Sequence, residues 1–470
     1  MKPSKAFIPF GLLIEFALLF IIIFGYITIE NFNFVVILSV ISFISYVALS
    51  IVFNNKVIDV FFFFIILTYI FHFGQIFLYS LNIPIILPAK FNVFTYNTMY
   101  TIASMYFSLI LLTIMQITGF FLDLKKIKKS KSSNSIYSLD NTIDKEFFTI
   151  IMLLTAIPYF YVDISQIIIS NEFGYVDAYK FGSSYLFSIL SSFFIFSFMG
   201  FIITNRNFRI NKLSILIFTI WNIYKMIMVG NRSLPMALIL SLLFIYISVS
   251  GFRKIKFKVR YILFGSIIVF LLPYIAQIRN VSSSSFVNEN FYNYILTDNP
   301  ISYLLAEFGG TLLTLIMTVQ NVPSVVSYSN GLTYIGSIAI FLPFSTLLFG
   351  DFFNQYISVG ESMNIYFGGG LGGSWIAELY YNFGNFSVLF VPIITYFIKK
   401  LSLIIKNNNM PRLAINKVLI FFLLIPLFIY PRGYIYTFMT YINIYIYIFI
   451  LNFLYKKLRK GPSKSELSTG

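Results

Sequence analysis

Apolar residues run through this chain in stretches of about 17 to 25, each long enough to cross a hydrocarbon core of about 30 Å as an α-helix. A backbone in lipid finds no water to bond, so each crossing stretch must satisfy its own amides, and only a helix does so within one segment. Such stretches fall at about 6–28, 33–53, 58–80, 95–121, 146–169, 185–204, 213–229, 234–250, 261–277, 385–403, 417–430 and 434–455. They predict an all-α, polytopic transmembrane helical bundle of about 12 spans. With 58% of the 470 residues hydrophobic and 11% charged, lipid is the solvent for most of the chain.

Lysine and arginine collect on every second connection, which by the positive-inside rule puts both termini in the cytoplasm. Of the 33 Lys and Arg, only Lys90, Lys180, Lys225, Arg232, Arg279 and Arg432 fall on the outer side in this topology. The net charge of +16 is then mostly a cytoplasmic fringe facing anionic lipid. It is not a nucleic-acid footprint, because the basic residues sit in short loops and build no basic domain.

The expected organisation is four helices over 1–123, a basic Ser-rich linker over 124–145, five helices over 146–277, a large outer segment over 278–384, three helices over 385–455, and a basic tail over 456–470. The outer segment carries no Lys or Arg after Arg279. Its apolar runs near 302–321 and 333–350 are expected as interfacial or re-entrant helices in preference to a further pair of spans, since the link NVPSVVSYSNGLT has no positive charge to hold it in the cytoplasm.

Three arginines stand apart at outer helix ends. Arg232 lies in the turn Gly230-Asn231-Arg232-Ser233, Arg279 where the ninth span leaves the membrane, and Arg432 in Pro431-Arg432-Gly433. A single such arginine serves equally well as an anchor to lipid phosphate. Three forked cations at one depth suit a diphosphate, whose oxygens accept paired hydrogen bonds.

A second feature is Gly368-Gly369-Gly370-Leu371-Gly372-Gly373-Ser374, followed by WIAELYYNFG. A glycine-rich loop opening a helix presents backbone N–H groups to an anion or a sugar; it also simply lets a loop bend. Ser374, Glu378 and Asn382 recur every four residues and share one helical face. Glu378 is a candidate to take a proton from a sugar hydroxyl, and Glu307, in Ala306-Glu307-Phe308-Gly309-Gly310, is a second. Gly372, Gly373, Ser374, Tyr381 and Asn382 are the candidate sugar contacts. Asp351 and Glu361 are expected as solvated loop residues, and His72, the only histidine, is expected as a packed side chain in the third span.

The absence of cysteine excludes disulfides, zinc knuckles and thiol nucleophiles. The sequence has no Asp-X-Asp pair, no His/carboxylate metal spacing, no Walker loop and no GxSxG elbow, so neither metal nor cofactor is expected.

Taken together, GNRS after a mid-chain span, QIRN opening the long outer segment, AEFGG, GGSWIAELYYNFG closing it, and PRG before the last span resemble the Wzy-type O-antigen, capsule and exopolysaccharide repeat-unit polymerases. The resemblance implies glycosyl transfer between polyprenyl-diphosphate-linked oligosaccharides at the outer face of a bacterial cytoplasmic membrane, with release of polyprenyl diphosphate. A flippase and a chain-length regulator would be partners. Arg232, Arg279 and Arg432 would hold the diphosphate, and Glu378 or Glu307 would act as base. The O-antigen ligases are similar in using outer arginines with a histidine, but this chain has no outer-side histidine. The alternatives are a lipid-linked oligosaccharide flippase or other transporter, which would carry charge along the bundle interior, an O-antigen-ligase-like glycosyltransferase, and a non-catalytic assembly or regulatory membrane protein.

Overall fold

The computed structural model describes residues 7–28, 31–53, 59–85, 87–125, 142–174, 177–178, 185–249, 300–339, 359–406, 410–411 and 413–460. Arg279, Lys180, the expected span at 261–277, most of the basic linker, the 340–350 part of the second outer run, Asp351, the side chain of Glu361 and the tail beyond Lys460 lie outside the described residues.

Among the described residues the fold is all-helical. Four helices open it: α1 (Phe7–Thr28), α2 (Phe32–Phe53), α3 (Val60–Ser80) and α4 (Thr98–Lys125). A second group follows with α5 (Thr142–Phe173), α6 (Tyr185–Thr204), α7 (Phe208–Val229) and α8 (Ser233–Val249). Shorter helices come next: α9 (Pro300–Gly309), α10 (Leu312–Asn321), α11 (Leu332–Ala339), α12 (Val359–Phe367) and α13 (Trp375–Phe383). The chain closes with α14 (Val391–Lys406), α15 (Ala414–Phe422), α16 (Leu424–Ile429) and α17 (Ile435–Lys460). Phe20, Leu154 and Ile157 are 72, 67 and 77% exposed on this surface, which suits acyl chains and not water.

Ten helices among the described residues are long and apolar enough to cross a membrane, or eleven if the bent pair 375–389 and 391–406 is one span. The chain is thus a multi-pass membrane protein with a span count close to the expected one. Of the expected spans, 261–277 lies outside the described residues and the helix at 234–250 is apolar but short, while others are broken or shifted. Residues 417–430 read as one apolar run but form α15 and α16 in succession. The stretch from 385 begins with a 3-10 turn over Gly384–Leu389 and bends by 88° before α14, with Gly384 at φ +55°. Helix α7 begins earlier than its apolar stretch, because Asn207 caps it through the amides of Arg209 and Ile210. Ile301–Asn321 has the length and hydropathy of a span, yet turns at Gly310 and Thr311 separate α9 from α10.

Charges at the two ends of α3 are handled differently. At its start, Asp59 caps the helix on the Phe62 amide (2.9 Å), and Lys399 of α14 lies 2.8 Å from Asp123 of α4 and 3.6 Å from Asp59. Lys406 joins the cluster at 3.7 Å from Asp59. Nearby chain ends follow the same pattern, with Lys456 of α17 2.6 Å from Asp144 of α5. These pairs fasten helix ends drawn from both halves of the chain, so the two groups form one bundle.

Near the other end of α3 the contact is backbone on backbone. Helix α9 lies on α3 where Gly74 faces Gly309: a Cβ on Gly74 would stand 2.3 Å from the Leu305 carbonyl oxygen, and one on Gly309 would stand 2.3 Å from the Gln75 amide nitrogen. Paired small residues let membrane helices approach this closely, and dispersion over the shared surface holds them there. Phe71 of α3 packs on Phe308 of α9 beside the contact, ring centroids 5.0 Å apart. A methyl group at Gly74 meets fixed backbone, so Gly74→Ala is expected to cost about 1–3 kcal/mol. A melt of the detergent-purified protein should show the drop, and an unchanged midpoint would mean that α9 does not hold its place through this contact.

Candidate functional site

One turn of α3, from Phe71 to Gln75, gathers the pieces. Gln75 is a buried amide with three bonds: its Nε2 donates to the carbonyls of Phe91 (2.8 Å) and Ala306 (2.9 Å), and its Oε1 accepts from the Val93 amide (2.9 Å). It therefore clips the α3–α4 connection and α9 to the same point. His72, fully buried, bonds the Thr68 carbonyl through Nδ1 (3.0 Å) and Ser374 Oγ through Nε2 (2.9 Å). A carbonyl only accepts, so Nδ1 carries a proton and Nε2 is directed at the serine. Ser374 in turn caps α13 through the Ala377 amide (3.2 Å). The histidine fixes where the glycine-rich loop ends.

That loop reaches its place through backbone angles that side chains disfavour. Gly368, Gly369 and Gly370 have φ of +78°, +85° and +93° in succession. Asn364 of α12 holds the loop through its carbonyl, which accepts from Gly368 and Gly369, and through Oδ1, which accepts from Leu371 (2.9 Å). The Gly372 carbonyl accepts from Thr314 of α10 (3.0 Å) and from the Tyr434 hydroxyl (3.1 Å). The two remaining glycines press against Pro431-Arg432-Gly433. A Cβ on Gly372 would stand 3.0 Å from Arg432 Nε, and one on Gly373 would stand 2.8 Å from the Gly433 Cα. The guanidinium of Arg432, an exposed residue, is thus laid on bare backbone. Lys90 reaches the start of the same loop, its Nζ 2.9 Å from the Gly368 carbonyl.

Arg232 is placed differently. It is 8% exposed and its guanidinium is bonded to the carboxylate of Glu307 on α9, with the Phe308 ring centroid 5.9 Å from Cζ. The sequence-predicted arginine and carboxylate, 75 residues apart, form one ion pair. Lys225, one helical turn before Arg232's loop, is bonded to Asp163 of α5, which also accepts from Trp221 (2.8 Å).

Glu378 is fully buried. Its Oε2 accepts from the Ile435 amide (3.0 Å) at the start of α17, and its Oε1 lies 3.3 Å from the Thr333 hydroxyl of α11. Asn382, one turn on, donates to Thr333 Oγ1 (2.7 Å) and to the Glu378 carbonyl, and accepts from the Gly331 amide (3.0 Å). Tyr381 is buried, and its carbonyl accepts from the Ser329 amide (2.9 Å). Ser374, Glu378 and Asn382 share the face that their spacing predicted, and that face is turned into the protein, where it ties α13 to α3, α11 and α17.

The structure therefore brings Arg432, Gly372 and Gly373 into contact, pairs Arg232 with Glu307, and sets both groups around the same turn of α3. Sequence reasoning gives His72 and Lys90 no part in the site and does not single out Gln75, Thr314 or Tyr434. For His72 and Gln75 the available signal was two polar residues three apart within a span, which need interior partners. Removing one member of the buried Arg232–Glu307 pair strands the other, so Arg232→Met or Glu307→Leu alone is expected to lower stability by about 3 kcal/mol. The double variant Arg232→Met/Glu307→Leu should recover most of that loss. Additive losses in denaturant or heat would mean the two do not depend on each other.

Comparison with known proteins agrees with this picture. No curated protein and no solved structure gives a significant match. The family described as O-antigen polysaccharide polymerase Wzy matches residues 11–459, nearly the whole chain. Such proteins join oligosaccharide repeat units carried on lipid, which accords with a multi-pass membrane bundle. On that match the chain belongs to the O-antigen polysaccharide polymerase Wzy family.

Proposed function

We propose that the protein transfers a growing glycan from its polyprenyl diphosphate to a hydroxyl of a lipid-linked repeat unit at the outer face of a bacterial cytoplasmic membrane, with release of polyprenyl diphosphate. The observation that carries this reading is the exposed Arg432 guanidinium seated on the Gly372 backbone. A planar fork on a rigid seat can pair with two phosphate oxygens at once. The acceptor oxygen forms a bond to the anomeric carbon, the bond from that carbon to the diphosphate breaks, and the electron pair leaves with the diphosphate. A fixed cation at the developing charge lowers the barrier without needing a metal ion for that role.

Glu307 takes the acceptor's proton. It is nearly buried but less so than Glu378, which is fully buried, and Arg232 orients its carboxylate. Glu378 acts as a positioning residue by holding the start of α17, next to Pro431-Arg432-Gly433. Arg279, which lies outside the described residues, remains a further candidate cation for the diphosphate. The orientation draws support from the basic fringe: Lys399, Lys406 and Lys456 gather around Asp59, Asp123 and Asp144, at the end of the bundle opposite the α3 turn. With that end and both termini in the cytoplasm, the arginine site faces outward. A flippase that delivers the repeat unit and a chain-length regulator are the expected partners.

The test uses purified protein in lipid with a polyprenyl-diphosphate-linked repeat unit and reads the glycan ladder. Arg432→Ala should reduce ladder formation at least tenfold with little change in melting temperature, Arg432→Lys should keep part of it, and Gly372→Ala should weaken it by displacing the guanidinium. A chelator should leave the ladder intact. Full activity in Arg432→Ala would remove the diphosphate clamp. Lipid crossing between leaflets with no ladder would show a flippase instead.

A further inference from the structure

Beside the glycine-rich loop lies a cavity of about 390 Å³ lined by Tyr96, Met317, Gln320, Asn321, Tyr366 and Phe367. None of these residues belongs to the diphosphate site. The volume is at the small end of ligand sites, about 300–1,000 Å³, so it suits a sugar ring or two and not a polyprenyl chain. Its floor is built before any ligand arrives. Tyr96 stacks on Phe367 at 6.2 Å, and the Tyr96 hydroxyl donates to the Lys90 carbonyl (2.7 Å). Phe91 packs on the same Phe367 ring, and Lys90 Nζ stands 4.9 Å from its centroid. Asn321 is fixed by its bond to the Met317 carbonyl (2.7 Å). Tyr366 is 46% exposed.

Aromatic rings beside side-chain amides are what a pyranose needs. Its C–H face packs on a ring, and its hydroxyl or acetamido groups pair with amide donors and acceptors. Position narrows the ligand further. Thr314 of α10 bonds the Gly372 carbonyl, and Gly372 is the seat of Arg432. Met317 lies about one helical turn along the same helix, roughly 5 Å away. A glycan whose diphosphate sits at Arg432 therefore reaches the cavity within its first sugars.

We infer that this cavity is a saccharide subsite, which takes a pyranose close to the diphosphate of the donor glycan and so selects which repeat unit is polymerised. The inference rests on the polymerase reading for the identity of its ligand, but binding at the cavity is measurable without catalysis.

The probe is the reducing oligosaccharide of one repeat unit, released by mild acid from the lipid-linked pool of the producing cell and carrying neither lipid nor phosphate. Saturation-transfer NMR on the full chain in lipid nanodiscs should show it bound to the unaltered protein and equally to Arg432→Ala. Binding should weaken about tenfold or more in Tyr366→Ala and in Gln320→Leu, and Tyr366→Trp should restore it. In the ladder assay Tyr366→Ala should raise KM for the lipid-linked donor with kcat little changed. The subsite is overturned by no binding to the unaltered chain at about 10 mM oligosaccharide, or by binding indifferent to both substitutions. A chain that binds through Tyr366 yet builds no ladder would keep the subsite and remove the polymerase reading. A ladder indifferent to Tyr366 and Gln320 would do the reverse.

Discussion

The bundle depends on a close approach between two backbones, α3 at Gly74 and α9 at Gly309. In lipid no hydrophobic force draws two apolar helices together, so they must gain from dispersion and from hydrogen bonds that acyl chains do not offer. The α3 turn supplies both. The missing side chains allow contact, and Gln75 and His72, which would be costly if left unbonded, bond to α9, to the α3–α4 connection and to Ser374. One turn of helix thereby sets the position of Glu307 on one side and of the glycine-rich loop on the other. The geometry of the candidate site is thus inherited from helix packing.

The spans were legible because lipid imposes a length and an apolar content on any crossing helix. Their breaks show only as single residues inside otherwise unchanged composition: Pro426, which has no N–H to give the preceding turn, marks the step from α15 to α16, and Gly384 and Pro392 flank the bend before α14. The site was half legible. Arg232 and Arg432 stood out because positive charge is scarce on that side of the topology, and the glycine run stood out by composition. What those groups touch is a matter of tertiary contact. Arg232 and Glu307 are far apart in sequence, and the face shared by Ser374, Glu378 and Asn382 gave no indication whether it turned toward a ligand or into the protein. His72 was taken for a packed side chain, and packed it is, but its bond to Ser374 crosses 302 residues and leaves no local trace.

Among the described residues the ion pairs with a buried member divide into two kinds. Lys399 with Asp59 and Asp123, and Lys456 with Asp144, hold helix ends at one side of the bundle. Lys225 with Asp163 and Arg232 with Glu307 lie toward the other side, among the ends of α5, α7, α8 and α9. A paired buried charge gains little net stability over an apolar substitute but becomes very costly when it loses its partner. Such pairs therefore fix register more than they add stability, which is useful where helices could otherwise slide along smooth apolar faces.

The same reasoning separates the two arginines. Arg232 meets a carboxylate within the protein, so the pair carries little net charge toward a diphosphate, and what it offers is an oriented Glu307. Arg432 is laid against the Gly372 backbone at an exposed position, where a substrate can approach it. A glycosyl transfer places growing negative charge on the leaving diphosphate while the acceptor sheds a proton. The first demand calls for a cation facing the substrate and the second for a carboxylate held in place by one. On the proposed reading the two arginines would meet these demands separately, and the α3 turn fixes the elements that carry both.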